Sequence, residues 1–205
     1  MAVTSYKNAS VSSSEDNGLS TDWVNTSNAE GADDASYSTA SPAKNGGVSD
    51  WLRLTGFGFT AGDIPSGSTI DGIELSIGKF HENGNCLDNG IFLRKTSGQV
   101  GDDKSKGTNW PTSDGDSDYG GGADTWNASL AQGDIVSADF GIDISCTNID
   151  ATGVKTSSVD YVQIRITYTP PAGGFSHDVG GVANANIGKI GGVAIADIAK
   201  VGGVE

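Results

Sequence analysis

Asp114-Gly115-Asp116-Ser117-Asp118 places three carboxylates at alternate positions in a run of small, turn-forming residues. Oxygen donors so spaced suit a hard cation, and Ca²⁺ takes about six to eight oxygen ligands. The EF-hand form is not met, because its sixth position falls on Tyr119 and its twelfth on Thr125, where Gly and Glu are needed. The sequence therefore predicts Asp114, Asp116 and Asp118 as a calcium cage, completed by Asp124 or by Asp102-Asp103. A solvated acidic loop is the alternative reading. Calcium would be an accessory, and no cofactor is required.

Trp110 and Trp126 flank this run, and aromatic faces stack on sugars, so a glycan-binding site is one expectation; core packing is the other. Cys86 and Cys146 lie sixty positions apart. Cys146 falls on the apolar side of an alternating stretch, as a buried thiol would. Cys86 falls in a polar turn, which leaves a disulfide open if the chain matures in an oxidising compartment. Asn8, Asn25 and Asn127 each begin an Asn-X-Ser/Thr triplet, the glycosylation acceptor pattern, which also arises by chance in a chain this rich in Ser, Thr and Asn. The two histidines, His81 and His177, fit neither a zinc spacing nor a nucleophile elbow. Gly56-Phe57-Gly58-Phe59 precedes no helix and is not a phosphate loop. No catalytic residue is predicted, and the chain is read as a non-enzyme.

The elements that would position these groups alternate with period two. Ile73, Leu75 and Ile77 alternate with Glu74 and Ser76, Phe140 to Cys146 do so with Gly141, Asp143 and Ser145, and Val162 to Tyr168 with Gln163, Arg165 and Thr167. Each pattern buries one face of an antiparallel strand. Trp51–Phe59, Ile91–Lys95, Val3–Ser12 and Ala35–Ala40 are further strand candidates, and Leu130–Val136 offers one helical turn. About eight short strands between turn clusters predict an all-β chain, an antiparallel β-sandwich with jelly roll as the leading topology, over residues 1–169.

Pro170-Pro171-Ala172-Gly173-Gly174 forms a linker over 170–174, since paired prolines end a strand and paired glycines make a flexible joint. Residues 175–205 then repeat. Val179–Lys189 aligns with Ile190–Lys200 at seven of eleven positions, and a third copy begins at Val201. Two adjacent glycines per copy disfavour a helix, each costing about 0.8–1.0 kcal/mol relative to Ala. The tail is read as extended segments broken at Gly180-Gly181, Gly191-Gly192 and Gly202-Gly203. Extended, residues 179–205 span about 90 Å at ~3.3 Å per residue, more than twice the ~40 Å width of a domain this size. Val179, Val182, Ile187, Ile190, Val193, Ile195, Ile198, Val201 and Val204 recur too regularly for an ordinary disordered tail, the alternative reading. They predict an assembly tail that lies in a neighbour's groove or adds to its sheet edge.

Pro65-Ser66-Gly67-Ser68-Thr69-Ile70-Asp71-Gly72-Ile73-Glu74-Leu75, Gly107-Thr108-Asn109-Trp110-Pro111 and the strand Val159–Thr169 resemble a pattern in uncharacterised phage and environmental bacterial proteins. The tail, through Ile187-Gly188-Lys189-Ile190-Gly191-Gly192-Val193-Ala194, resembles C-terminal repeats of marine phage structural proteins. The combination is similar to jelly-roll subunits that chain into extracellular filaments. The resemblance covers most of 51–205 and implies a structural or surface role, extracellular or virion-associated.

Charge narrows the partners. Twelve basic residues against 26 acidic ones, a net of −14 over 205 residues, exclude a nucleic-acid surface and an anionic membrane surface. No apolar run approaches the ~18 residues of a membrane-spanning helix, and the N-terminus shows no basic segment followed by an apolar stretch, so no secretory signal is read. The tail carries Asp178, Asp197 and Glu205 against Lys189 and Lys200, so almost all the negative charge belongs to the domain. The expected partner is a second copy of the chain, met head to tail, with glycans as the alternative.

Overall fold

The computed structural model describes residues 1–18 and 21–171, and the backbone of 189–190 and 193–194. Twelve strands make up the domain: β1 (Ala2–Val3), β2 (Lys7–Asn8), β3 (Val11–Glu15), β4 (Ser38–Ala40), β5 (Gly47–Val48), β6 (Trp51–Thr55), β7 (Thr69–His81), β8 (Cys86–Lys95), β9 (Gly98–Val100), β10 (Asp116–Gly121), β11 (Gly141–Asn148) and β12 (Ser157–Thr169). A 3₁₀ turn covers Thr26–Ala29, and one helical turn, α1 (Gln132–Ile135), lies within the stretch where the sequence offered one.

The strands form two antiparallel sheets. In the first, β12 pairs with β7 along its whole length, and β10 continues the sheet beyond β7. The other edge of β12 is covered in turn by β4, β2 and β1. In the second, β11 lies between β8 and the β5–β6 pair, with β9 and β3 at the edges. Leaving aside β1, β2, β3 and β5, β4–β12–β7–β10 faces β6–β11–β8–β9, and the chain changes sheet at most connections.

Period-two alternation is the cause of this layering. Ile73, Leu75 and Ile77 of β7 and Val162, Ile164 and Ile166 of β12 point into one core. From the opposite sheet come Leu52 and Leu54, Ile91 and Leu93, and Ile142 and Ile144. All twelve are fully buried. Burying each such side chain contributes roughly 1.5–3 kcal/mol, which is what makes the register specific: a slip of one residue would turn a whole strand's apolar set toward water.

One charge pair is also enclosed between the sheets. Lys79 of β7 meets Asp88 of β8 at 2.6 Å, and both side chains are almost wholly buried. Tyr119 donates to Asp88 at 2.8 Å and Trp110 Nε1 donates to it at 2.8 Å, while the Lys79 ammonium sits 4.2 Å from the Trp110 ring centre. Burial pushes the Lys79 pKa down, and the Asp88 carboxylate works against that shift.

Strand β12 ends at Thr169, and Pro171 lies against the Gly67 turn. Beyond it, β13 (Lys189–Ile190) and β14 (Val193–Ala194) pair antiparallel, Ile190 opposite Val193. Val179, Val182, Ile187, Ile195, Ile198, Val201 and Val204 lie outside the described residues.

Candidate functional site

Strand β12 pairs with β7 through Val159 and then Tyr161, and the extra residue at this irregularity is Asp160. Such bulges re-aim a side chain at a sheet face. Here Asp160 is brought to Asp33, from the loop after the 3₁₀ turn, and to Asp114, from the loop before β10. One carboxylate oxygen from each lies within 4.8 Å of the other two; Asp160 is buried and the other two are exposed. The backbone N–H groups of Asp34 and Ala35 donate to Asp160 at 3.4 and 3.1 Å. Ala35 adopts a positive φ of 60°, a conformation L-residues rarely take, and this turns its N–H toward the carboxylate loop.

Tyrosines border the cluster. Tyr37 donates to Asp114 at 3.3 Å and packs edge-on against Phe80, ring centres 5.0 Å apart. Tyr161 donates to Asp116. Its ring occupies the space over Gly78, where a Cβ would stand 2.5 Å from the ring, so only glycine at 78 admits this tyrosine.

Among the described residues, none of Asp33, Asp114 and Asp160 has a Lys or Arg partner. Like charges at this spacing repel by about 3 kcal/mol per pair at an effective dielectric near 20. Burial, reinforced by the hydrogen bond to Asp33 and the charge of Asp114, pushes the Asp160 pKa up to about 6, against the lowering effect of the two backbone donors. A proton or a cation relieves the repulsion. Three carboxylates supply at most six oxygens, so they fit Ca²⁺ with solvent or backbone oxygens completing the shell.

The sequence-predicted cage is thus rearranged. Asp114 joins the cluster, but Asp116 and Asp118 belong to β10 and not to a turn. Neither is in the group of three carboxylates that converge. Asp116 accepts from Tyr161, while Asp118 is exposed further along the strand. Asp124 is paired with Lys104 at 2.8 Å, and Asp103 caps the Ile91 and Ser105 amides. Asp33 and Asp160 were missed: one lies in an acidic loop and the other in the apolar stretch Val159–Val162 of β12. Asp160 did carry a signal, since it interrupts the alternation between Val159 and Val162.

The expected sugar-stacking tryptophans are corrected. Trp110 and Trp126 are 2% and 0% exposed, so neither offers a face to a ligand. Each fills the core while its indole N–H is satisfied, Trp110 on Asp88 and Trp126 on the Ile73 carbonyl at 3.0 Å. Cys86 does not lie in a turn either; it begins β8 and is fully buried, as is Cys146, and both are free thiols. Asn25 and Asn127 are exposed at positive φ, and Asn8 sits half-buried in β2 opposite Gln163. His81 ends β7, fully buried, and His177 lies outside the described residues. Among the described residues, no helix is long and apolar enough to cross a membrane.

No protein-family model, curated protein or solved structure matches the chain. The functional reading therefore rests on its own residues.

Proposed function

We propose that this chain is a structural assembly protein: a jelly-roll subunit of an extracellular filament, virion fibre or decoration, which polymerises by docking its C-terminal repeat on a neighbouring copy. The repeat carries the reading. Seven identical positions in eleven, with branched aliphatics and paired glycines, follow a Pro-Pro joint at the end of a long strand. The jelly-roll assignment is supported by β4–β12–β7–β10 opposed to β6–β11–β8–β9 within the two six-stranded sheets, an order that matches two four-stranded sheets wound as Greek keys once β1, β2, β3 and β5 are left aside. A head-to-tail contact that does not close builds a fibre, and a reach of about 90 Å lets the tail pass its own domain. The acidic domain keeps subunits soluble and limits unspecific contact. No catalytic step is assigned. Sedimentation of the full chain against one lacking residues 173–205 tests the proposal: the full chain forms large species and the shortened chain remains monomeric, and equal sedimentation would refute it.

A second reading is favoured by the Asp33–Asp114–Asp160 cluster. Bordered by Tyr37 and Tyr161, it has the donors for a calcium-assisted contact with a hydroxyl-rich ligand such as a surface glycan. Calorimetric titration with Ca²⁺ after chelator treatment is expected to give one site per chain, lost in Asp114→Asn. Absence of heat and of any Tm shift at millimolar Ca²⁺ would remove this reading.

A further inference from the structure

The two cysteines are unused by either reading, yet the fold brings them together from sixty positions apart. In the β8–β11 ladder Cys86 stands opposite Asn148 and Cys146 opposite Asp88, so the cysteines are diagonal neighbours. Both point between the sheets, where the Ser157 hydroxyl of β12 reaches the Cys86 sulfur at 3.4 Å and the Cys146 sulfur at 3.3 Å. The sulfurs therefore both touch one small hydroxyl group. The ladder shifts register between Ser145 and Cys146, and an irregularity there lets the strand adjust locally.

We propose that Cys86 and Cys146 close into a disulfide when the chain folds under oxidising conditions, joining β8 to β11 inside the core. The proposal does not rest on the assembly reading. Because both sulfurs are fully buried in the finished fold, the oxidant acts while the strands are still coming together. Cys146 is taken as the first to react; the reverse order is equivalent, because at that stage neither thiol yet has its folded surroundings. Its thiolate attacks one sulfur of a low-molecular-weight disulfide such as oxidised glutathione, forming a mixed disulfide and expelling one thiolate. Cys86 then loses its proton to solvent and attacks the Cys146 sulfur, expelling the second thiolate. Two electrons pass from the protein thiols to the small disulfide, which leaves as two thiols. The closed loop spans some sixty residues, and a cross-link restricts the unfolded chain more the longer the loop it closes.

The full chain is unfolded in denaturant and refolded either with excess reductant or in a mixture of oxidised and reduced glutathione. Both samples are then denatured, treated with an alkylating agent and weighed intact. The expected oxidised product is two hydrogens lighter than the unalkylated chain and takes up no alkyl group; digestion yields one peptide pair joining Cys86 to Cys146. Its Tm, measured without reductant, lies several degrees above that of the reduced protein. Uptake of two alkyl groups, retention of glutathione on either cysteine, or a link between chains on a non-reducing gel would each overturn the proposal.

Discussion

Asp88→Ala is expected to destabilise the domain by about 3–5 kcal/mol, because it strands the Lys79 ammonium in the core without a counter-charge. The loss exceeds the value of one hydrogen bond, since Tyr119 and the Trp110 indole also lose their acceptor. The same logic makes the double change informative. Replacing Lys79 by Met and Asp88 by Leu together should recover the part of the loss due to the stranded ammonium, since a packed apolar pair often matches a buried ion pair, while the Tyr119 hydroxyl and the Trp110 indole stay without their acceptor. Urea unfolding of the wild type, both single variants and the double variant gives the cycle directly. A cost below about 1 kcal/mol for Asp88→Ala would show that water reaches this site and that the pair is not enclosed as described.

At pH 7 without divalent cations, Asp160→Asn is expected to be more stable than the wild type by about 2 kcal/mol. The amide oxygen retains the Ala35 N–H bond, and the amide nitrogen faces Asp33, so a repelled charge is exchanged for a donor. The sign follows from linkage. With the pKa raised to about 6, the folded chain holds this proton more tightly than the unfolded chain does between roughly pH 4 and 6. The carboxyl's contribution is therefore most favourable below pH 4 and is lost as pH rises through 6. The full shift corresponds to about 3 kcal/mol at ~1.36 kcal/mol per unit. The advantage of the asparagine should accordingly vanish near pH 4, and saturating Ca²⁺ should raise the wild-type Tm and leave the variant's unchanged. A variant less stable than the wild type at pH 7 would mean that the Asp34 and Ala35 amides outweigh the repulsion.

Strands with a continuous alternating face were legible in the sequence. Ile73–Ile77 and Val162–Tyr168 lie in β7 and β12, and Phe140–Cys146 lies in β11 except for Phe140, one residue before it, though β7 and β12 run several residues further than the alternation alone marked. What was not legible is strand whose inward residues are polar. The first half of β8 reads as a turn because Asp88 sits on its inner face, which is tolerable only through Lys79, 9 residues earlier in sequence but in the other sheet. β10 reads as an acidic loop because Tyr119 is its one large buried side chain. The trace of Trp51–Phe59 likewise overran: β6 stops at Thr55, and Gly56 and Gly58 turn the chain at positive φ while Phe57 and Phe59 still pack on Phe140. The candidate site was half visible for the same reason. Asp114 was found by its acidic neighbours, whereas Asp33 and Asp160 join it only through a bulge and a loop that spacing along the chain does not encode.

Assembly through the repeat is the central claim, and imaging of two samples tests it most directly. The full chain and the chain lacking residues 173–205 are compared by negative-stain electron microscopy at equal concentration. Filaments or extended fibres from the full chain, with only single particles of domain size from the shortened one, are the predicted result. Identical fields, whether both filamentous or both monomeric, would contradict it.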